Sequence, residues 1–251
     1  MFARALLAGA ALAVSAVSAQ AGIVGEYHRY TVGDVEFEGY VAYNSDLPQT
    51  RGTVLIVHDW DGMTEYEERR AEMLAALGYT AFAIDVYGAE TDPQGFEEFR
   101  ALSGALYGDR ATFRERLLGS IAEAANIAGA GGNTVMMGYC FGGAAVLEAA
   151  RAGADVDGFV SFHGGLGTPE GQDYSMTDAP VMLFHGSADP VSGMADLAGL
   201  LDQLQAAGVT HGAQVFGGAR HSFTVWGSRD YDLGADQGSW DGLLAFLDDA
   251  M

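Results

Sequence analysis

The sequence has no lysine: all twelve of its basic residues are arginines, set against 34 acidic ones for a formal net charge of −22. Such a chain repels phosphate backbones and anionic lipid headgroups, which excludes nucleic acid as a partner and leaves no basis for electrostatic membrane binding. There is one cysteine, so no internal disulfide staples the fold, and five prolines, too few for a collagen-like or linker-rich architecture. Beyond the N-terminus no stretch reaches the roughly 18 consecutive apolar residues of a membrane-spanning helix. What is present is ordinary for a folded protein. With 49% hydrophobic and 11% aromatic residues over 251 positions, the chain is too apolar for intrinsic disorder and long enough for one continuous core.

Residues 1–21 place Arg4 ahead of an apolar run from Ala5 to Val17 and close on Ala19-Gln20-Ala21. A basic start, a short apolar stretch and small residues at a cleavage point make a signal peptide, and the run is too short and alanine-rich to span about 30 Å of hydrocarbon. The expectation is export to a periplasm or the medium, no membrane attachment after cleavage, and a mature domain of residues 22–251. A lone Cys140 in an exported domain then needs an explanation other than a disulfide.

From there the pattern alternates between β-branched apolar runs and helical stretches. Strands are predicted at 35–43, 53–58, 81–86, 134–139, 158–162, 181–184 and 213–216, and helices at 65–77, 96–106, 112–128, 142–152, 194–206 and 234–247. Most strands are continuous apolar runs, as parallel strands buried on both faces require, whereas the first alternates like an antiparallel edge. The fold class is therefore α/β: a single domain with a doubly wound, mostly parallel sheet flanked by helices. Loops 164–178 and 87–107 are long enough to wall a site.

Three windows carry chemistry. In Val135-Met136-Met137-Gly138-Tyr139-Cys140-Phe141-Gly142-Gly143, an apolar strand runs through G-x-C-x-G into small residues that open a helix. This is a nucleophile elbow with cysteine at its apex, its glycines placed where any Cβ would strike the adjoining helix or strand. At a helix N-terminus the thiolate should be favoured and the thiol acidified from its free value of about 8.5. The strand Val181-Met182-Leu183-Phe184 runs into His185-Gly186-Ser187-Ala188-Asp189, which presents Asp189 as an orienting carboxylate. The last strand leads into Gly217-Gly218-Ala219-Arg220-His221, which places His221 at the same sheet edge. Nucleophile, acid and base thus follow in the chain order such folds use.

These residues resemble the dienelactone hydrolase family of the α/β-hydrolase fold, over nearly all of the mature chain. The resemblance implies an enzyme that cleaves a small ester or lactone through Cys140, His221 and Asp189. It implies a further carboxylate, usually Glu in the family and here Asp59 in His58-Asp59-Trp60-Asp61-Gly62, that helps generate the thiolate when substrate binds. The oxyanion hole would be the backbone N–H groups of Trp60 and Phe141. Family members that cleave dienelactone grip its carboxylate with two arginines; the matching positions here are Ala89 and Val225. Without that clamp an anionic lactone should be a poor substrate, unless Arg220 or Arg229 substitutes.

His58, His163, His185 and His211 lack the paired spacing of a metal site, and no G-x-G-x-x-G follows the first strand, so neither a metal nor any other cofactor is expected. The leading reading is an exported cysteine hydrolase, monomeric or a small homo-oligomer, acting on a small-molecule ester or lactone. The alternatives are a catalytically silent protein of the same fold that binds a small apolar ligand, and a redox-responsive thiol.

Overall fold

A computed structural model describes residues 22–251; the predicted export signal lies outside them. In chain order the strands are Ile23–Val32 (β1), Val35–Asn44 (β2), Thr53–Val57 (β3), Thr80–Ile84 (β4), Thr134–Tyr139 (β5), Gly158–Phe162 (β6), Val181–Gly186 (β7) and His211–Phe216 (β8). They form one sheet in the order β1-β2-β4-β3-β5-β6-β7-β8, antiparallel through β1, β2 and β4 and parallel from β4 to β8. Every residue of β3, β4 and β6 is buried. That burial follows from helices on both faces, and it is why these strands read as unbroken apolar runs.

The helices are Glu65–Ala76 (α1), Phe96–Gly108 (α2), Arg110–Glu123 (α3), Phe141–Arg151 (α4), Met194–Ala207 (α5) and Leu233–Ala250 (α6). Successive residues of β3 divide between two cores: Leu55 and Val57 join Phe113, Leu117, Val146, Leu197 and Leu200, whereas Val54 and Ile56 join Leu74, Ala75, Leu243 and Leu247. So α3, α4 and α5 cover one face while α1 and α6 cover the other, which is the doubly wound arrangement of an α/β hydrolase. No helix among the described residues is long and apolar enough to cross a membrane.

Three expectations need correction. The sheet begins at Ile23, not at 35, because Gly33-Asp34 closes a tight hairpin in which Val32 faces Val35 and Gly33 takes a left-handed φ of 59°. Consequently β2 is not the edge strand; β1 is. Helix α3 ends at Glu123 although the apolar spacing continues, and the buried Ala124 and Ile127 pack from turns that close on Gly129 at φ 72°.

Two buried ion clusters tie the outer layers to the sheet. Glu148 of α4, fully buried, accepts from Arg110 at 3.0 Å, Arg114 at 2.7 Å and Arg151 at 2.8 Å. Burial disfavours its charge, but these guanidinium groups together hold its carboxyl below the usual range. On the other face Arg70 of α1 donates to Asp236 of α6 at 2.5 Å and to the Thr224 carbonyl at 3.0 Å. Its guanidinium sits among the rings of Tyr66, Tyr139, Trp226 and Trp240. Both clusters are charges whose removal strands a partner. Asp236→Ala should therefore lower unfolding stability by about 3–5 kcal/mol in urea titration; a loss under about 1 kcal/mol would show that Arg70 finds another counter-ion.

Candidate active site

One residue, Cys140, separates the end of β5 from the start of α4, and it makes the turn at φ 49°, ψ −106°. An L-residue with a side chain is strained there, by roughly 1–3 kcal/mol, and is held only by its surroundings. Its N–H donates to the Phe162 carbonyl at 3.0 Å and to His163 Nδ1 at 3.2 Å. A Cβ on Gly138 would strike the Gly142 carbonyl, and one on Gly142 would strike the carbonyls of Val57 and His58. The G-x-C-x-G spacing is thus a packing requirement, and its product is a thiol projecting from the C-terminal edge of the sheet.

The loops after β7 and β8 bring two more groups to that edge. His221 Nε2 lies 2.9 Å from Cys140 Sγ, and His221 Nδ1 lies 2.8 Å from Asp189 Oδ2. Asp189 is buried, which opposes its charge, but His221 and the N–H groups of Val191 (2.7 Å) and Ser192 (3.2 Å) keep its carboxyl below the usual range. An anionic Asp189 places the proton of neutral His221 on Nδ1 and leaves Nε2 facing the thiol as an acceptor.

Asp59 closes the opposite side. It is near enough to Cys140 for each to shift the other's ionisation. The expectation of an acidified thiol does not hold. Burial, then the Asp59 carboxylate, push the Cys140 thiol well above its ordinary value, and the N–H of Phe141 only partly offsets them. The residue retains some exposed surface. Asp59 is itself pushed up to about 6, by burial first and then by Asp61, against the opposing pull of Trp60 N–H, the thiol and His221.

The Asp59 loop is held from below. Glu67, pushed up to about 8 by burial, receives the N–H groups of Asp59 (3.3 Å) and Thr64 (3.0 Å) and the Thr64 hydroxyl (2.7 Å). His58 Nδ1 donates to the Asp59 carbonyl at 2.5 Å while Nε2 accepts from Val86 N–H at 3.2 Å. The Trp60 N–H, one expected oxyanion donor, is occupied: it donates to Asp59 Oδ1 at 2.5 Å. The other, Phe141 N–H, faces the sulfur. The Tyr87 hydroxyl donates to the Trp60 carbonyl at 2.9 Å, and the rings of Tyr87 and Tyr107 each centre 5.5 Å from that of Phe141.

The structure therefore brings Cys140, His221, Asp189 and Asp59 together, with Trp60 and Phe141 beside them. Segment 87–107 does wall this site. Loop 164–178 mostly does not: Gln172, Tyr174 and Thr177 bind the far end of α4 through Glu148, Arg151 and the Ala150 carbonyl. Arg220 does not replace the missing clamp, since it donates to Asp230 at 3.1 Å, and Arg229 is a largely exposed side chain 3.7 Å from the same carboxylate. Sequence reasoning passed over Glu67 and His163. The first carries a legible signal, the Thr64–Glu67 capping box; the second carries none, because its contacts are made across the sheet edge. Among the described residues no group of three or more His, Cys, Asp or Glu side chains is arranged to hold a metal ion.

Comparison with known proteins places this geometry. The family model described as "Dienelactone hydrolase family" matches residues 37–251. A solved structure of the dienelactone hydrolase-like promiscuous phosphotriesterase P91 from metagenomic libraries is 27% identical, with a TM-score of 0.85 over 91% of this chain and 99% of that one. A protein named m3DLH is 26% identical, with a TM-score of 0.86 over 92% and 99%. The dienelactone hydrolase from Anabaena variabilis, at 21% identity and a TM-score of 0.68 over 92% and 99%, shares the fold. No curated protein matches the chain significantly.

Because the Asp59 charge disfavours the thiolate, Asp59→Asn should move the pH midpoint of Cys140 alkylation by iodoacetamide downward. An unchanged or raised midpoint would mean that burial alone sets the thiol.

Proposed function

The chain belongs to the dienelactone hydrolase family and is a carboxylic ester hydrolase, and we propose that it works with Cys140 as nucleophile, His221 as proton carrier and Asp189 as the group that orients and stabilises His221. The observation that carries the mechanism is the unbroken line from Cys140 Sγ to His221 Nε2 at 2.9 Å and from His221 Nδ1 to Asp189 at 2.8 Å. At rest the thiol keeps its proton. When an ester carbonyl enters, that proton passes to His221 Nε2 and Sγ forms a bond to the carbonyl carbon, whose oxygen becomes the anion.

The Phe141 N–H receives this oxyanion, joined by the Trp60 N–H once the Asp59 carboxylate turns away from it. Collapse of the intermediate breaks the bond to the leaving alkoxide, which takes the proton from His221 and departs as the alcohol. Water then gives a proton to His221 and its oxygen to the acyl carbon, releasing the carboxylic acid and restoring the thiol. In the empty site the Asp59 carboxylate disfavours negative charge on sulfur, and its displacement by substrate removes that penalty, so that the thiolate forms when substrate is bound.

The substrate class follows from what surrounds the thiol. Trp60, Tyr87 and Tyr107 offer aromatic walls, Ala89 and Val225 stand where family members carry arginines, and Arg220 and Arg229 are drawn to Asp230. A small uncharged ester or lactone suits such a site better than an anionic one. The 27% identical relative is described as a promiscuous phosphotriesterase, and a neutral phosphotriester meets the same requirement for an uncharged electrophile. Residues 1–21 support export, so the enzyme would meet its substrate in a periplasm or outside the cell. A silent ligand-binding protein would need no proton relay from acid to thiol, and this complete one favours the enzyme.

Hydrolysis of p-nitrophenyl acetate should be readily measured and should fall by roughly 10³-fold or more in Cys140→Ala, with cis-dienelactone turned over poorly by both. Turnover unchanged in Cys140→Ala would remove the nucleophile assignment, and efficient dienelactone cleavage would remove the substrate assignment.

A further inference from the structure

We propose that His163 is a positioning residue: a neutral bridge that joins the backbone of the nucleophile elbow to the loop carrying His221 and so sets the approach of His221 to Cys140. The inference rests on the mechanism above, and it starts from strain. Among the described residues the non-glycine positions with left-handed φ are Cys140 at 49°, His163 at 39° and Ser222 at 59°. All three lie at one sheet edge: the nucleophile position, the residue after β6, and the neighbour of His221. Strain of this kind persists only where contacts over-determine the backbone, and His163 supplies contacts to both of the other two segments.

Its ring is fully buried and both nitrogens are engaged. The Cys140 N–H donates to Nδ1 at 3.2 Å, which makes Nδ1 the acceptor and puts the ring proton on Nε2. Nε2 then donates to Thr224 Oγ1 at 2.8 Å, three residues beyond His221. Thr224 is anchored in turn: its hydroxyl meets that of Tyr66 at 2.7 Å and its carbonyl accepts from Arg70 at 3.0 Å. The His163 ring also stands edge to face with those of His221, at 5.3 Å between centroids, and Phe223, at 5.1 Å. On the other side the His163 N–H is held by the Phe184 carbonyl at 2.8 Å.

A space-filling role does not call for this residue. An apolar ring would fill the volume without two buried nitrogens to satisfy, and a glycine would take the left-handed φ without strain. Histidine alone among uncharged side chains gives an aromatic ring with an acceptor on one side and a donor on the other. It has to stay neutral for this, and burial together with the neighbouring His221 pushes its pKa well below the ordinary value. Hence when His221 takes the thiol proton, the adjacent ring adds no opposing charge.

The test uses the full chain with His163→Asn, Thr224→Val, their combination and Thr224→Ser, each assayed for ester turnover, thermal unfolding and the rate of Cys140 alkylation by iodoacetamide. Asn tolerates a left-handed φ and still offers the Cys140 N–H an acceptor, but it cannot reach Thr224. We expect His163→Asn to unfold within a few degrees of the parent, to lose about tenfold or more in kcat with KM within about twofold, and to be alkylated more slowly. Thr224→Val should show the same losses, the double variant no more than the larger single loss, and Thr224→Ser parental values.

Parental kcat and alkylation in either His163→Asn or Thr224→Val overturns the bridge, as do losses that add in the double variant or a Thr224→Ser loss equal to that of Thr224→Val. Should His163→Asn fail to fold, Thr224→Val and Thr224→Ser decide the question. The alkylation rate involves no ester, so it reads the bridge even if Cys140→Ala were to retain turnover and the nucleophile assignment fell.

Discussion

The steric constraint at Cys140 organises this protein. A single residue has to reverse the chain from the end of β5 into α4, and it can do so only at φ 49° with no Cβ on Gly138 or Gly142. From that follow the close seating of α4 against the ends of β3 and β5, the projection of the sulfur above the sheet edge, and the need for external groups to hold a strained amide. The Phe162 carbonyl and His163 Nδ1 meet that need. The parallel strands, the helices on both faces and the buried Glu148 and Arg70 clusters make the frame rigid enough to maintain one unfavourable dihedral pair.

Electrostatics then sets the resting state. In a chain of net charge −22 the thiol lies beside Asp59, with Asp61 and Glu67 close behind, and burial raises the carboxyls of Asp59 and Glu67 to about 6 and 8. Groups raised in this way favour the fold fully below their unfolded values of about 4 and lose that contribution as pH climbs through 6 and then 8. Asp189 and Glu148 act in the opposite sense: their lowered carboxyls contribute stability above the unfolded value that is lost as pH falls through the folded one. The site thus places Asp59 and Asp61, whose charge burial disfavours, next to a thiol that burial and these carboxylates keep protonated, and a firmly anionic one behind His221. The same Asp59 that holds the thiol quiet also occupies the Trp60 N–H. In the proposed mechanism one displacement of that carboxylate releases both the charge brake and the oxyanion donor.

Most of the frame was legible because buried parallel strands write themselves as apolar runs and the elbow has a local signature. The family and the sheet class follow from Gly138-Tyr139-Cys140-Phe141-Gly142 and the ordered Asp189 and His221 windows, and the structure brings these windows to one edge. What the sequence did not disclose depends on burial and on contacts across the sheet. The acidifying effect of a helix N-terminus on Cys140 was a sound local expectation, reversed by burial and by Asp59. Strand β1 is not legible as an apolar run because Glu26, His28, Arg29 and Thr31 interrupt its pattern, and its pairing shows only in the hairpin that brings Val32 opposite Val35. In sequence His163 is a histidine at a strand end like any other, and only its contacts with Cys140 and Thr224 in the fold set it apart.

The central claim is that an ester's acyl group passes through the Cys140 sulfur. Intact-mass and peptide mass spectrometry of the protein, acid-quenched during turnover of a slowly hydrolysed p-nitrophenyl ester, tests it most directly. The account predicts a transient adduct of one acyl group, located on the peptide containing Cys140, that decays as carboxylic acid appears. Turnover with no adduct there, or with the acyl group on another residue, would contradict it.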